Sequence, residues 1–395
     1  MSTERKFAGL GLLLAASTAA ACMGSVGTEF GPNGRGSGSD DDPASPAASE
    51  ATSESESPGI GTRAFSLCES GGIEQPSPRL LRLLTRREYR NTLRDLLYAQ
   101  DIDVSSLPLE PRVKGFDNNA TSSVVTGRHV DEYLTLTIAQ VDKALKEKKS
   151  QLLTCQASAP ECKQQFVDAF GLRAFRRPLT SDEKTRYVAL FADASASSSF
   201  DEGMRLVMTS MVMSPNFLYR SEVGEAKGDG FQLTPYEVAS ALSYLYWGSM
   251  PDQALFDAAA QNKLGTKTEL EAQARRLLAD ARAQAQVSEF SLQWLRSDNL
   301  LSSFKDTAIY PSFNDAVRNA MVEEQRRFVV DVALTRDGKF SELFTADYVF
   351  ANGELARFYN LSTSSNEFTK VNATPESGRG GLLSLGAATY SGTRT

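Results

Sequence analysis

The sequence predicts a mainly α protein whose folded body follows a disordered N-terminal tether. Apolar residues recur at helical spacing through most of the chain after residue 78, and the alternation typical of strands is rare. Three segments also share one helix-start signature, in which a threonine is followed three residues later by a glutamate: Thr85 and Glu88, Thr180 and Glu183, Thr234 and Glu237. In such a capping box each side chain bonds the backbone N–H of the other residue, so each pair marks the start of a helix.

The first 21 residues indicate a lipoprotein signal peptide. Arg5 and Lys6 precede an apolar run that ends in three alanines before Cys22. Small residues up to a cysteine resemble a bacterial lipobox, although Ala19 stands where leucine is more typical. The alternative is ordinary signal cleavage near the AxA tripeptides, with Cys22 incidental. We expect lipidation of Cys22 and a position in the cell envelope, anchored by lipid to the outer membrane and facing the periplasm or the exterior.

Residues 22–75 form the predicted tether, which is rich in Gly, Ser, Pro and acidic residues and has little to bury. It carries most of the acidic excess behind the chain's net charge of −7, so the body is close to neutral. A near-neutral body without a basic stripe argues against nucleic acid as a partner.

The cysteines agree with export. Cys155 and Cys162 flank a short loop, and we expect a local disulfide between them in an oxidising compartment. Zinc is the competing interpretation, but two cysteines without further ligands make a poor site. Cys68 is left without an assigned partner.

The first part of the body contains an amphipathic helix over 86–98, a loop and a helix near 130–146. Within the loop, "GFDNNA" places Asp117, Asn118 and Asn119 together, where their oxygens suit calcium or sugar hydroxyls. One carboxylate is too few for a tight calcium site, and we prefer to interpret the segment as an Asx turn. The single histidine, His129, is expected to cap the second helix on the surface.

The second part contains helices near 163–171, 181–192 and 200–213, followed by a short turn that Ser214 caps. Gly171 is expected to end the first of these helices. Pro178 disfavours helix at the residue before it, Arg177. Arg176 and Arg177 then lie at an elbow between helices. We interpret them as a clamp on the exposed carbonyls of a helix C-terminus, with a functional anion site as the alternative.

The third part contains helices over 235–247, 267–278, 283–296 and 313–335, a turn at 336–339, and then a short helix, an extended piece and another helix. Trp247 and Asp252 follow one another at a helix end, a combination that can stack on and bond a sugar. We prefer the other interpretation, a tryptophan that closes a helical core. Trp294, four residues after Phe290, is expected in the core.

Several segments together resemble one family: "LRLLTRREYRNTLRDLL", "GFDNNA", "FGLRAFRRPLTSDEKTRYVALF", "MVMSPNFLYRSEVG", "LTPYEVASALSYLYWGSMPDQAL", "FSLQWL", "LFTADYVFANGELARFYNL" and "GRGGLLSLGAATYSGTRT". Their order and wording are similar to the exported multi-module proteins of planctomycetes and myxobacteria built from planctomycete-specific domains of unknown function, some of which carry c-type cytochrome domains. The resemblance implies consecutive helical modules over 78–147, 155–226 and 231–362, and the start of a fourth module over 375–395 that is truncated. The alternative is a natural short paralogue. The family supplies no catalytic residues.

The sequence lacks a CxxCH, a phosphate loop and a GxSxG elbow, and one histidine is too few for a histidine-rich metal site. We therefore expect no metal site and no cofactor in this chain. The first hypothesis is a non-catalytic, surface-tethered helical module that binds a polysaccharide or an exported partner protein. The second is an exported enzyme or redox accessory whose reactive centre lies in a missing C-terminal part or in a cytochrome partner. A concave pocket joining Asp117, Arg176, Trp247 and Asp252 would favour binding or catalysis, and their dispersal would favour a scaffold.

Overall fold

The computed structural model describes residues 78–392 except 229, 307, 337, 363–364 and 374. The predicted signal peptide, the tether and the lipidation site Cys22 lie outside the described residues. The described part is mainly helical, which confirms the predicted fold class. No helix in it combines the length and the apolar character needed to cross a membrane.

The helices, numbered in chain order, are α1 (Arg86–Leu97), α2 (Gly127–Glu147), α3 (Lys149–Leu152), α4 (Cys162–Phe175), α5 (Ser181–Ser197), α6 (Phe200–Val212), α7 (Pro215–Leu218), α8 (Pro235–Trp247), α9 (Gln253–Ala260), α10 (Lys267–Leu278), α11 (Ala281–Trp294), α12 (Asp315–Val330), α13 (Glu342–Thr345), α14 (Gly353–Tyr359) and α15 (Gly386–Gly392). One π-helical turn, Asp331–Thr335, extends α12. Short 3₁₀ turns lie at Ser297–Ser302, Pro375–Ser377 and Leu382–Ser384.

Six short strands form three antiparallel pairs: β1 (Leu80–Leu83) with β2 (Tyr219–Glu222), β3 (Glu225–Lys227) with β4 (Gly230–Gln232), and β5 (Tyr348–Ala351) with β6 (Thr369–Asn372). In the first pair Leu80 lies opposite Glu222 and Leu83 opposite Tyr219. This pair joins the start of the body to the segment after α7, so it fixes α1 beside α7.

All three predicted capping boxes are confirmed, at the starts of α1, α5 and α8. In each, the threonine hydroxyl accepts from the glutamate backbone N–H and the glutamate carboxylate accepts from the threonine backbone N–H. A fourth box, formed by Thr266 and Glu269, starts α10. His129 bonds Thr126 at the start of α2, which is the surface capping role expected of it.

The expectation that Gly171 ends a helix is wrong. Helix α4 continues to Phe175, and Arg176 caps it in the left-handed conformation with φ 58°. Gly171 is buried within the helix, and a Cβ there would lie 2.6 Å from the Leu179 side chain. The glycine therefore lets the segment after the helix pack directly on the helix backbone.

The first core lies among α1, α2 and the helices α4 to α7. Tyr89 of α1 is fully buried at its centre, 4.8 Å from the Tyr133 ring and 5.9 Å from the Phe217 ring. Its hydroxyl bonds the Thr137 hydroxyl at 3.1 Å, so the buried polar atom is satisfied. Separate apolar clusters pack α8 with α9 and α10, and α11 with α12 and α14.

Buried polar contacts tie α1 to the end of α8. Thr92 and Tyr244 share a hydrogen bond of 2.7 Å, Asn91 donates to the Gly248 carbonyl at 3.3 Å, and the Ser249 hydroxyl donates to Asp95 at 2.6 Å. Since unsatisfied buried groups are costly, these bonds favour one relative placement of the two helices. The placement leaves a cleft between them on the side of Tyr244.

Candidate functional site

The cleft beside Tyr244 has a volume of about 370 Å³. Its lining combines charged, amide and aromatic side chains: Arg82, Thr85, Arg87, Glu88, Phe116, Asp117, Asn118, Arg220, Glu222, Ala241, Tyr244, Leu245, Gln286, Glu289, Phe290 and Gln293. The volume lies near the lower end of the range typical of ligand pockets, ~300–1,000 Å³.

Four structural elements build the walls. The β1–β2 pair and the first turn of α1 form one side, α8 and α11 form the other, and the loop around Gly115 closes an end. Gly115 has φ 98°, and a Cβ there would lie 3.1 Å from the Gln293 carbonyl oxygen. Glycine at this position permits the close approach that carries Asp117 onto α11.

Two carboxylates meet at one amide in this cleft. The Gln293 Nε2 amide donates to Asp117 Oδ2 at 2.8 Å and to Glu289 Oε1 at 2.7 Å. The Asp117 backbone N–H donates in return to Gln293 Oε1 at 3.2 Å. Gln293 is itself buried, 4% exposed, so its orientation is fixed and both carboxylates are held in place.

Among the carboxyl groups that line the cleft, Asp117 has a raised pKa. Burial raises the pKa of Asp117, and the negative charges of Glu289 and Glu88 raise it further. The positive charge of Arg87 and the bond from Gln293 oppose that rise without cancelling it. Asp117 therefore holds a proton to higher pH than an ordinary aspartate does.

Arg220 gives the cleft a buried guanidinium group, only 9% exposed. It lies 4.6 Å from the Tyr244 ring centroid and forms long ion pairs with Glu88 and Glu222, at 3.7 and 3.8 Å. Its Nε has no hydrogen-bond partner. Because a buried donor without a partner is costly, an acceptor supplied by a ligand would stabilise this N–H.

Two further polar atoms of the cleft lack partners. Arg87 Nε and Gln286 Oε1 are both buried without a hydrogen bond. Gly248, which ends α8 with φ 60°, gives both side chains room, because a Cβ there would lie 2.7 Å from Arg87 Nη1 and 2.8 Å from Gln286 Oε1. The cleft thus offers an unpaired acceptor as well as unpaired donors.

An apolar shelf lies next to these polar groups. The Phe290 ring packs nearly parallel to the Phe116 ring and to the Trp294 ring, each with a centroid distance of 5.9 Å. Leu245 of α8 remains 47% exposed at the cleft. Planar rings beside directed hydrogen-bonding groups suit a ligand that has an apolar face and polar edges.

The "GFDNNA" segment divides between the two interpretations that the sequence left open. Asp117 and Asn118 line the cleft. Asn119 instead accepts the Thr121 backbone N–H at 2.9 Å and the Thr121 hydroxyl at 2.7 Å, which is an Asx turn. The turn positions its two neighbours and does not itself face the cleft.

Arg176 and Arg177 both make structural contacts. Arg176 is buried, and its Nη2 donates to the carbonyls of Asn216, Phe217 and Tyr219 at 2.7 to 2.9 Å. This is a clamp on the C-terminal end of α7. Arg177 forms a two-bond ion pair with the capping-box residue Glu183 at 2.8 and 2.9 Å, which lowers the pKa of Glu183 to about 2.

Trp247 and Asp252 do not form the sugar site that their spacing suggested. Trp247 is 3% exposed, its indole N–H donates to the Leu277 carbonyl at 2.9 Å, and the Arg282 guanidinium covers its ring at 3.4 Å. Asp252 caps α9 and pairs with Arg276 through two bonds. Both side chains are engaged in contacts within the protein, Trp247 with Leu277 and Arg282 and Asp252 with Arg276, so neither is available to a ligand.

The four residues whose presence in one pocket would favour binding or catalysis are therefore dispersed, since only Asp117 lines the cleft. Their dispersal favours a scaffold, so the case for a ligand site rests on the other residues that line the cleft with Asp117. Arg176 approaches it indirectly, through a 3.4 Å contact with the Tyr244 hydroxyl. Cys155 and Cys162 form a disulfide that closes the loop before α4. Within the described residues, no three His, Cys, Asp or Glu side chains lie close enough together to hold a metal ion.

The other cleft residues could not be predicted from the sequence. Glu289 and Gln293 are four residues apart and so share one face of α11, but nothing in the sequence connects them to Asp117. Arg87 lies near Arg90 and Arg94 in the first helix, where solvated surface charge is the simpler explanation of the arginines. Arg220 reaches the cleft only because β2 pairs with β1, a contact between segments far apart in the chain.

Three family models match the chain, each described as a protein of unknown function. They are PSD3 (DUF1587) over residues 82–146, PSD5 (DUF1595) over 162–222 and PSD4 (DUF1592) over 233–361. No curated protein matches the chain, and no solved structure does. The cleft takes residues from all three matched regions: Asp117 from the first, Arg220 from the second and Glu289 from the third.

Proposed function

We propose that the three domains of unknown function together form a binding protein for a neutral polysaccharide, with the cleft beside Tyr244 as its site. The observation that carries the proposal is the joint construction of the cleft by all three domains, with unpaired polar atoms inside it. Ligand sites favour such junctions, where the walls come from separate units.

The chemistry of the cleft favours sugar hydroxyls over a charged ligand. Three arginines and four carboxylates line it, so the two signs nearly balance and a strongly anionic or cationic group gains little. A hydroxyl both donates and accepts, so sugar hydroxyls suit a cleft whose side chains include an unpaired donor, Arg220 Nε, and an unpaired acceptor, Gln286 Oε1. The Phe290 and Leu245 side chains supply an apolar surface for the face of a sugar ring.

A glycan array probed with the full chain tests the proposal. We expect retention of neutral glycans, and weaker retention for the Leu245→Ala and Gln286→Ala variants. Leu134→Ala is the matched control, because Leu134 is also exposed, at 41%, but lies on α2 away from the cleft. Equal binding by all three variants, or no binding by the unaltered chain, would refute the proposal. Capture of an exported protein in place of a glycan would favour the partner-protein alternative.

The position of the protein in the cell is part of the same proposal. A lipid on Cys22 and a long acidic tether would hold the cleft away from the outer membrane, where extracellular or periplasmic polysaccharide is accessible. The support is the sequence pattern of residues 1–75 alone.

A further inference from the structure

We propose that the cleft also hydrolyses glycosidic bonds with retention of configuration, with Asp117 as the general acid and base and Glu289 as the nucleophile. This inference rests on the proposed function, since it requires a glycan in the cleft. It goes beyond binding, because it assigns a reaction to two carboxyl groups that binding alone would not require to react.

The spacing of the two carboxylates is the first argument. Oxygens of both groups lie within hydrogen-bond distance of one nitrogen, Gln293 Nε2, at 2.8 and 2.7 Å. These oxygens are therefore closer than the ~6.5–9.5 Å that leaves room for an attacking water in inverting enzymes. Such a pair suits the retaining geometry, with carboxyl groups ~5–5.5 Å apart, in which one carboxylate attacks the sugar directly.

The unequal surroundings of the pair assign the two roles. Burial and the neighbouring acids raise the pKa of Asp117, so this carboxyl is the one that keeps a proton to give to the leaving oxygen. Glu289 lies on the rigid helix α11, one turn from Gln293, and Gln293 fixes its orientation. It is placed as the carboxylate that attacks.

The reaction balances without any co-reactant except water. In the first step the Glu289 carboxylate oxygen bonds the anomeric carbon, the glycosidic C–O bond breaks, and Asp117 transfers its proton to the departing oxygen. In the second step water attacks the same carbon, the ester to Glu289 breaks, and Asp117 takes one proton from that water. The products are one hemiacetal, at the anomeric carbon, and one alcohol, on the departing sugar. Both carboxyl groups return to their starting states.

The buried arginine is an independent indication that a ligand belongs in the cleft. Arg220 lines the cleft, is only 9% exposed, and its buried Nε has no hydrogen-bond partner. A ring hydroxyl beside the reacting carbon would satisfy this donor. We assign Arg220 to positioning of the substrate and not to the bond-making steps.

The experiment uses the full chain, the neutral glycans that it retains on the array, and a panel of 4-nitrophenyl glycosides. We expect new reducing ends from a retained glycan, and ¹H NMR should show the product anomer with retained configuration. Asp117→Asn and Glu289→Gln should each lower the rate about 10²–10⁴-fold while glycan retention on the array persists. Glu225→Gln, an exposed glutamate on β3, is the matched control and should keep the full rate.

Chemical rescue separates a reacting group from a structural one. Azide added to a Glu289→Gly variant should restore turnover of the activated glycoside and yield a glycosyl azide of inverted configuration. A 2-fluoro glycoside should leave the unaltered chain heavier by one sugar on Glu289. Product of inverted configuration, or a bound glycan that is never cut, would overturn this inference and leave the binding proposal standing. If the chain bound no glycan at all, the binding proposal and this inference would both be refuted.

Discussion

Glu324 provides the sharpest test of the structure outside the cleft. It lies on α12 with no exposed surface, its Oε2 accepts the Tyr359 hydroxyl at 2.6 Å, and its Oε1 has no hydrogen-bond partner. The Tyr359 hydroxyl in turn accepts the Gly386 backbone N–H at 2.9 Å, and the Arg379 guanidinium lies 3.8 Å from the Tyr359 ring. Burial raises the pKa of Glu324 from 4.5 to about 8, which the bond from Tyr359 and the charge of Arg379 only partly offset.

The sign of the resulting pH dependence follows from linkage. Below pH 4.5 the carboxyl is protonated in the folded and in the unfolded chain, so it favours neither. Between pH 4.5 and about 8 it ionises in the unfolded chain only, which stabilises the unfolded chain and lowers the free energy of unfolding as the pH rises. Above that window both forms are ionised and the dependence ends. At about 1.36 kcal/mol per pKa unit, the total loss attributable to Glu324 is at most about 5 kcal/mol.

The assay is denaturant unfolding of the full chain and of Glu324→Gln between pH 5 and 9, followed by tryptophan fluorescence. Both tryptophans lie in the same domain as Glu324, so the signal reports that region. We expect the unaltered chain to lose stability relative to Glu324→Gln as the pH rises. Glu323→Gln is the control, because Glu323 forms only partly exposed ion pairs with Arg326 and Arg327. Parallel pH profiles for the unaltered chain and Glu324→Gln would refute the reasoning.

Four further predictions concern other parts of the chain. Arg176→Met should cost at least about 3 kcal/mol in free energy of unfolding, because it leaves three carbonyls without their charged donor. Cys155→Ser should cost about 2–3 kcal/mol, as expected for a short disulfide loop. Gly386→Ala should cost about 1–3 kcal/mol, since the added Cβ would lie 2.4 Å from the Tyr359 hydroxyl. Cys22→Ala should release the protein from the membrane fraction, as judged by fractionation and immunoblotting.

Each of these four has its own control. Arg186→Met removes an exposed arginine and should be nearly silent in the same unfolding assay. Reduction of the unaltered chain should reproduce the loss seen with Cys155→Ser, and a reduced chain of undiminished stability would contradict the disulfide prediction. Gly265→Ala adds a Cβ into open space and should cost little. Cys68→Ala should stay in the membrane fraction, and retention of the Cys22 variant there would end the lipid-anchor proposal.

Local signals explain what the sequence predicted well. A capping box needs only a threonine and a glutamate three residues apart, so the starts of α1, α5 and α8 could be found without any tertiary information. Gly171 shows where local reasoning fails. A glycine near a proline suggests a helix end, yet here it serves the close packing of Leu179 against the helix, a contact that sequence spacing does not reveal.

Non-local contacts explain what the sequence could not predict. Asp117 was found because three polar residues stand together, but its partner Glu289 follows a run of ordinary helical residues. The two carboxylates meet only because Gly115 lets the loop approach α11. For Trp247 the sequence left a core role and a sugar-binding role open, because its exposure depends on Leu277 and Arg282, which come from other helices. The structure shows the core role.

The position of the cleft has a consequence for how the three domains work. The third domain alone would contain Glu289 and Gln293 without Asp117. The first domain alone would contain Asp117 without Gln293, which bonds it. Arg220 completes the cleft from the second domain, and it does so through the pairing of β2 with β1 of the first. The buried bond between Thr92 and Tyr244 then fixes the first domain against the third. Any chemistry in the cleft therefore depends on the docking of all three domains, and a variant that weakens this docking should lose ligand binding before it loses helical structure.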